Sequence, residues 1–508
     1  MYALRMQRRT FLKASALLAT MSVAACSRPW WSEQAIASDA SFPNGVLAGS
    51  PEEQAITLVV LVEHLVGPRS IAIELASDPL LADTVYRGVV AVPELDPHVP
   101  LKILLQDAGL QPGTRYYYRF ITQNTQTAIA SFRTLRRSDD ETPCRLGFFS
   151  CQGYSAGYYT AHAHLAREEE LDLVASLGDY IYELTDDVGP PLRPDQIGTI
   201  SQYGNGLAQT LEEYRHKYTH YRSDENLRAM HAAHSFVAIW DNHELATGAT
   251  GTLDGIRPTV PLAERMSHGR QAFFEQMPMF PGSRFPLSRQ VRMGAHLELF
   301  LLDMWTYQDP GRGIYLGSQQ MAWLMDGLRR STATWKVIAS TTVMMATDYP
   351  AGRPISLGQW DGFPEERKSL IQALIDAGLE DVIVISGDLH TFLAGQVTTT
   401  GRMDGQTGAL EFSGGAISSF GLFNLLPDER ELANSFRAKA LTENLHWSFA
   451  DLLTRGYAVL EAQASALFVT FRGVHTTFEP SSAAFDVAKF RVAKGKKAIV
   501  RLPTESLP

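Results

Sequence analysis

From Arg145 onward, short apolar runs alternate with amphipathic segments of helical length, and this alternation constrains the fold more than any other feature of the sequence. Strands are predicted at Arg145–Ser150, Leu173–Leu177, Ser235–Trp240, Leu297–Leu302, Trp335–Thr341 and Asp381–Ser386. Helices are predicted at Ala161–Glu170, Leu211–Ala233, Ser318–Arg330 and Pro364–Ala377, and a hairpin at Tyr457–Arg472. Strands that alternate with helices are typical of an α/β domain, which we place at residues 145–508.

Residues 42–135 have a different pattern, made of short strands separated by turns. Ile56–Val62 and Ser70–Leu75 are apolar or alternating runs, and Arg115–Phe120 is an aromatic strand that follows a Pro-Gly turn. Several strands at regular spacing indicate a small β-sandwich of the fibronectin or immunoglobulin type. The length of 508 residues also favours two packed units. We therefore expect an all-β domain before the α/β domain.

Residues 1–30 have the pattern of an export signal. Arg8-Arg9-Thr10-Phe11-Leu12-Lys13 is a twin-arginine motif, and the apolar run Ala14–Ala25 after it is too short for a permanent membrane span. We expect the twin-arginine translocation machinery to export the protein to the periplasm or the cell exterior. The run ends at Cys26 in the pattern of a lipoprotein cleavage box, so Cys26 is a candidate lipid anchor to the membrane. The alternative is ordinary cleavage a few residues downstream, which would remove Cys26.

The net charge argues against a nucleic-acid-binding protein, and the cysteine content argues against a disulfide-stapled one. A formal net charge of −10 and a pI near 5.8 argue against a nucleic-acid-binding surface, so local positive charge for an anionic substrate would have to come from bound metal ions. The three cysteines are Cys26, Cys144 and Cys151. A disulfide-stapled exported protein would have more, and Cys144 and Cys151 lie at the two ends of one predicted strand, which is poor geometry for a disulfide.

Metal-binding side chains follow four of the predicted strands. The segments are Ser150-Cys151-Gln152, Gly178–Glu183, Asp241-Asn242-His243-Glu244 and Gly387-Asp388-Leu389-His390. Singly, each has an ordinary explanation, since an Asp at a strand end is often a turn or cap residue and a lone Cys is often a small buried hydrophobe. Sites in open α/β sheets form at the carboxyl ends of the strands. Four such ends together favour a metal site.

The types of donor atom indicate which metals would bind. Thiolate, phenolate and imidazole suit a transition metal, here Fe³⁺, whereas carboxylate and amide oxygens suit Ca²⁺, Mg²⁺ or Mn²⁺. Asp179 could bridge two ions. Two metals of this kind can clamp the oxygens of an in-line displacement at phosphorus and activate the attacking water.

These four segments, in this order, resemble the motifs of PhoD-like phosphatases, within the calcineurin-like metallophosphatase group. Phe42–Val46, Gln320–Leu324 and Trp360–Phe363 also resemble that family and extend the likeness over most of the chain. The resemblance implies a four-layer metallophosphatase β-sandwich flanked by helices, preceded by the all-β domain. It also implies a metal-dependent phosphoester hydrolase that uses Fe³⁺ and Ca²⁺.

The resemblance implies a role for each candidate residue. Cys151, Asp179, Tyr182 and His390 would hold the ferric ion, and Asp179, Asn242 and Asp388 would hold the second metal. His243 would act at the phosphate as a general acid or an electrostatic stabiliser, and Asp241 would orient it.

The sequence departs from the family pattern at three places. Asn242 stands where the family usually has an aspartate, which removes a charge from the second metal. Leu245–Gly248 replaces a segment where asparagines are usual, and Trp305 stands where an arginine is common. The missing arginine is a missing contact to the substrate.

Two alternatives concern the activity, and a third concerns the position of one apolar segment. One is a phospholipase D-like phosphodiesterase, which would share the metals and differ in its pocket, and another is a non-catalytic surface lipoprotein of the same fold. Gly-Lys-Ser/Thr and His-Glu-x-x-His motifs are missing from the sequence, which argues against phosphate-binding-loop enzymes and against zinc enzymes of the His-Glu-x-x-His type. The apolar segment Phe420–Leu426 is expected to belong to the core, with a lid over the site as the alternative.

Overall fold

The structure is a computed structural model that describes residues 30–32, 35–184, 192–193, 206–246, 258–282, 284–349, 352–421, 423 and 429–504. The predicted export signal, Cys26 included, lies outside these residues except for Trp30. Thr247, Gly248, Leu422 and residues 424–428 also lie outside them. No helix within the described ranges is long and apolar enough to cross a membrane.

The N-terminal part of the chain is all-β. Its four-stranded antiparallel sheet has the spatial order Thr84–Ala91, Ser70–Ala76, Arg115–Ile121, Ala130–Arg133, and a two-stranded sheet pairs Asp39–Ser41 with Glu63–Val66. Along the aromatic strand, Tyr116, Tyr118 and Phe120 are buried and alternate with more exposed residues, as a half-buried strand requires. The predicted all-β domain is confirmed.

Three strands of this N-terminal part extend the large sheet of the following domain. Val46–Gly49 pairs in parallel with Phe236–Ala238, and Ile56–Val60 and Leu101–Leu105 follow outward. Their inner face packs against the four-stranded sheet, for example Leu58 in one apolar cluster with Ile73 and Tyr118. The all-β sandwich therefore shares one of its layers with its neighbour.

Two mixed sheets form the centre of the α/β domain. The ten-stranded sheet has the order Val500–Leu502, Ala484–Ala493, Ala466–Val474, Arg455–Ala462, Cys144–Phe149, Leu173–Ser176, Phe236–Ala238, Val46–Gly49, Ile56–Val60, Leu101–Leu105. The seven-stranded sheet has the order Arg289–Met293, Leu297–Leu301, Trp335–Ala339, Val382–Ser386, Thr407–Gly414, Phe392–Thr398, Trp447–Asp451. Short two-residue strands at Asp348–Tyr349 and Arg353–Pro354 form a small ribbon.

The sheets pack face to face, and helices cover their outer faces. Between the sheets, the rings of Phe392 and Phe471 lie 4.9 Å apart in the largest apolar cluster. The α-helices are Thr160–Leu165, Leu211–Tyr221, Glu225–Ala233, Asn242–Leu245, Leu262–Gln276, Ser318–Arg330, Pro364–Asp376 and Glu429–Glu443, with 3₁₀ turns at Pro310–Arg312 and Trp360–Gly362. This is the predicted four-layer arrangement, and the fold prediction is confirmed.

The prediction of one helix over Leu211–Ala233 is wrong. The chain breaks after Tyr221, and the second helix begins at Glu225, where Asp224 Oδ1 accepts hydrogen bonds from Asn226 N and Leu227 N. An aspartate that caps a helix satisfies free N–H groups of the new first turn, which favours two helices over one.

Candidate metal centre

The carboxyl ends of four strands place the candidate residues at one edge of the sheet sandwich. Cys144–Phe149, Leu173–Ser176 and Phe236–Ala238 are adjacent parallel strands of the ten-stranded sheet, and Val382–Ser386 belongs to the facing sheet. Cys151, Asp179, Asp241 and Asp388 follow these ends in turn. The strands thus bring together residues that are far apart in the sequence.

Four of the candidate residues have left-handed backbone conformations. The φ angles are 58° at Cys151, 54° at Asp179, 64° at Asp388 and 53° at His390. Such conformations cost about 1–3 kcal/mol at a non-glycine residue and concentrate at functional sites, although aspartate tolerates them better than most. Each of the three loops that supply these residues contains at least one such conformation. The loops therefore accept backbone strain in order to place these side chains.

The donor atoms form two overlapping groups. Cys151, Asp179 and His390 each offer one atom, all within 4.8 Å of one another, and so do Asp179, Asp241 and Asp388. Asp179 belongs to both groups and has two carboxylate oxygens. A carboxylate in this position can bridge two metal ions.

Tyr182 brings its phenol oxygen to the first group. The hydroxyl lies 3.3 Å from Asp179 Oδ2 and 3.2 Å from His390 Nε2, and it accepts a hydrogen bond of 2.9 Å from Ser419 Oγ. The Tyr182 side chain is buried. Thiol, phenol, imidazole and carboxylate donors therefore surround one point, which is a donor set for a transition metal.

The hydrogen bonding of His390 selects its tautomer. Nδ1 donates to the backbone carbonyl of Phe420, so Nε2 presents its lone pair to the first group. Burial lowers the pKa of His390 to about 4, which keeps the ring neutral near neutral pH. A neutral imidazole with a fixed free nitrogen is what a metal ligand requires.

Two acidic side chains of the centre, the buried Asp241 and the half-buried Asp388, have no Lys or Arg partner in the described part of the chain. Burial, together with the charges of Asp388 and Asp179, raises the pKa of Asp241 well above its usual range, and burial raises the pKa of Asp388. Burial and the same neighbouring carboxylates raise the pKa of the Cys151 thiol. Metal cations would relieve this crowding of negative charge, so the residues present fit a metal cluster.

Asn242 lies between Asp241 and His243 at the start of the short helix Asn242–Leu245. Its side chain is half-buried and makes no hydrogen bond within the described part of the chain. Asn242 therefore stays a predicted ligand of the second metal.

The structure corrects the role expected for Asp241. The carboxylate at His243 Nδ1 is Glu183, whose Oε2 lies 2.7 Å away, and Asp241 belongs to the second donor group. The ring of His243 also packs on Tyr182 with centroids 4.0 Å apart. Glu183 is fully buried beside this ring, so it orients His243. The sequence signal for Glu183 was its place in the Gly178–Glu183 segment.

Glu244 ties two of the loops together, a role that the sequence analysis missed. Its buried carboxylate accepts hydrogen bonds from Asp179 N at 3.0 Å, Tyr180 N at 2.5 Å and Asp241 N at 2.8 Å. One side chain therefore fixes the backbone on both sides of the metal centre. The bond to Asp241 N is half of a capping box, a local pattern that the sequence displays.

Trp305, which stands where the family commonly has arginine, contacts Asp241 directly. Its indole Nε1 donates to Asp241 Oδ1 over 2.6 Å, and its backbone N donates to Asp303 Oδ1 over 3.1 Å. Trp240 Nε1 donates to the same Asp303 oxygen. A neutral donor thus holds Asp241, and the centre gains no positive charge from position 305.

A cavity of about 370 Å³ opens beside Asp388 and His390. Phe420 and Phe423 line it and are both buried, while Leu422 and residues 424–426 of the same segment lie outside the described ranges. Cys144 and Cys151 are both free and buried, in agreement with the poor geometry expected for a disulfide between them.

Comparisons with known proteins agree with this geometry. The family model of the PhoD-like phosphatase matches residues 146–471, and that of the PhoD-like phosphatase, N-terminal domain, matches residues 25–136. Alkaline phosphatase D of Bacillus subtilis (strain 168) is 29% identical over 465 residues, covering 85% of this chain and 76% of the relative.

Two solved structures show the same architecture. The structure of PhoD superposes with a TM-score of 0.78 at 26% identity and covers 92% of this chain and 93% of its own. Purple acid phosphatase PPD1 from yellow lupin (Lupinus luteus) seeds superposes with a TM-score of 0.52 at 13% identity, covering 88% of this chain and 73% of its own, and shows a shared fold.

Proposed function

The chain belongs to the PhoD-like phosphatase family, and from this premise we propose that it is a metal-dependent phosphoester hydrolase whose centre is built on Asp179. The observation that carries the proposal is the pair of overlapping donor groups that share Asp179. A buried site with two donor groups that share one carboxylate is suited to two metals and an anionic substrate.

Each donor group would hold one kind of metal. Cys151, Asp179, Tyr182 and His390 would hold Fe³⁺, because thiolate and phenolate donors favour that ion. Asp179, Asn242 and Asp388 would hold Ca²⁺ or a similar divalent ion through oxygen atoms, with Asp241 adjacent. When bound, the metals supply positive charge for the phosphoryl oxygens and lower the pKa of the water that attacks phosphorus.

The protein's own residues would orient the substrate and manage the proton of the leaving group. The Glu183 carboxylate fixes His243 Nδ1 as a donor, so Nε2 is the nitrogen that can face the ester. In the reaction, the water oxygen bonds to phosphorus, the ester P–O bond breaks, and the alcohol leaves with a proton. His243, held by Glu183, would supply that proton.

A specific observation favours diesters over monoesters as substrates. Monoesters carry about two negative charges near neutral pH and diesters one. In the described residues, the cavity beside Asp388 has neither Lys nor Arg in its lining, and Trp305 places a neutral group at Asp241. Without Lys or Arg in this described lining, the second charge of a monoester would be poorly compensated there. We infer a preference for phosphodiesters.

We also propose export through the twin-arginine pathway, with Cys26 as a lipid anchor. The support is the Arg8-Arg9 motif followed by the apolar run and the cleavage-box pattern at Cys26. Mass spectrometry of the mature N-terminus tests both points. An acylated Cys26 at the new N-terminus supports the anchor, and a terminus downstream of Cys26 refutes it.

The activity is tested with nitrophenyl phosphate and the matching diester, comparing the exported protein with its Asp179→Ala variant. Hydrolysis that is lost in the variant supports the hydrolase, and a higher kcat/KM for the diester supports the substrate preference. Folded, metal-loaded protein that hydrolyses neither ester would indicate a non-catalytic binding protein of the same fold.

A further inference from the structure

The wall of the cavity beside Asp388 and His390 is mostly apolar. Seven of its described side chains are aromatic or aliphatic: Ile355, Leu389, Phe420, Phe423, Phe436, Trp447 and Leu452. A volume of about 370 Å³ is within the range of small-molecule sites, which is about 300–1,000 Å³. Asp388 and His390 are themselves part of the wall, so a phosphorus atom at metals held by these residues would lie beside this cavity.

The aromatic side chains of the wall offer few polar atoms to a ligand. Trp447 Nε1 already donates to the backbone carbonyl of Ala346 over 3.0 Å, and the rings of Phe423 and Phe436 pack with centroids 5.3 Å apart. Ser356, Gln359 and Thr391 are the uncharged polar residues of the wall, and Gln359 Nε2 donates to Asp388. An anionic group would lose water here without gaining a Lys or Arg partner from the described lining.

A neighbouring cavity has the opposite character. It has a volume of about 530 Å³, lies against another part of Phe420, and is lined by Thr454, Arg455 and Asp486 among other polar residues. None of the candidate metal ligands lines it. A charged group would be better accommodated there, whereas the apolar cavity has Asp388 and His390 in its own lining.

We propose that the apolar cavity binds an alkyl or aryl group that is ester-linked to the phosphorus, so that the natural substrate is a phosphoester with an apolar substituent. This inference rests on the proposed function, because the metals fix where the phosphorus lies. It adds the chemical class of the substituent and the residues that select it.

The test uses nitrophenyl alkyl phosphodiesters whose alkyl group is lengthened from methyl to hexyl while the leaving group stays constant. Each buried methylene should raise kcat/KM about fourfold until the cavity is full. Phe436→Ser should flatten this dependence. Leu432→Ser is the matched control, since Leu432 lies on the same helix but is 45% exposed and outside the cavity.

Binding of alkylphosphonates of the same chain lengths, measured by calorimetry on the metal-loaded protein, gives the dependence without turnover. A chain-length dependence that is lost in Phe436→Ser and kept in Leu432→Ser supports the proposal. Equal affinity for methyl and hexyl phosphonates overturns it, even if every ester is hydrolysed. Hydrolysis of none of the esters would overturn the proposed function, while the binding series would still decide the nature of the cavity.

A second substrate form distinguishes the sources of such a group. Vesicles of dioleoylphosphatidylcholine present the apolar ester in a membrane, whereas the nitrophenyl esters are used as soluble monomers. If the chain-length dependence is present, hydrolysis of the vesicles identifies membrane lipid as a source of the apolar group. If the vesicles are not hydrolysed, the cavity is assigned to soluble esters.

Discussion

Replacing Glu183 with Gln tests how His243 is controlled. The variant keeps the size of the side chain and an oxygen that can accept from His243 Nδ1, but it removes the buried negative charge 2.7 Å away. A hydrogen bond to a charged group contributes about 1.5–3 kcal/mol, roughly twice the value of a neutral one. The loss should therefore be about 1–2 kcal/mol in the step that needs protonated His243, which is about 5- to 30-fold in rate.

The assay compares two leaving groups. Nitrophenolate leaves without a proton, so Glu183→Gln should change its kcat less than about twofold, while an alkyl phosphoester should show the whole loss. Glu74→Gln is the control, because Glu74 is also a buried carboxylate, paired with Arg87 and Arg119 in the N-terminal domain. An equal loss for both leaving groups, or no loss for either, would refute the role assigned to Glu183 and His243.

Three further predictions concern stability and specificity. Glu244→Gln should lower the free energy of unfolding by about 2–4 kcal/mol in urea denaturation, because a buried N–H loses a charged acceptor; an unchanged midpoint would contradict this. Trp305→Arg should raise the monoester-to-diester ratio of kcat/KM at least about fivefold, since a nearby unit charge contributes about 1 kcal/mol even in water, whereas Trp305→Phe should leave it unchanged. Burial raises the pKa of Glu411 from 4.5 to about 7. The free energy of unfolding of the wild type, relative to that of Glu411→Gln, should therefore fall by about 3 kcal/mol as the pH rises from 4.5 to about 7. A difference between the two proteins that does not depend on pH would contradict this prediction.

The sequence was sufficient to predict which loops bring the candidate metal ligands together. Asp179, Asp241 and Asp388 each follow a buried apolar strand, and the carboxyl ends of such strands meet at one edge of the sheets. The local pattern therefore determined where these residues lie. It did not determine which neighbour each side chain contacts.

Contacts between distant segments could not be predicted. Glu183 and Asp241 are both acidic residues close to candidate ligands in the sequence, and only the three-dimensional path of the loop directs Glu183 to His243. Glu244 accepts from backbone groups more than sixty residues away, which no periodicity records. The apolar strand Ile56–Val60 is buried on both faces, and its sequence does not indicate which sheet it joins.

The helix break after Tyr221 could have been predicted. Ser223-Asp224 has the composition of a helix N-cap, and Asp224 does cap the second helix. The continuous helical pattern on both sides hid this signal, because two helices of similar composition follow each other closely.

We propose that Tyr182, Cys151, Asp179 and His390 hold a ferric ion. It is tested most directly by the visible absorption spectrum and the iron content of the purified, exported protein beside its Tyr182→Phe variant. A ferric ion bound by phenolate colours a protein, so the wild type should contain iron and show a visible band, and the variant should lose the band while keeping its fold. A wild type without iron, or a band that Tyr182→Phe leaves unchanged, would show that Tyr182 does not bind a ferric ion.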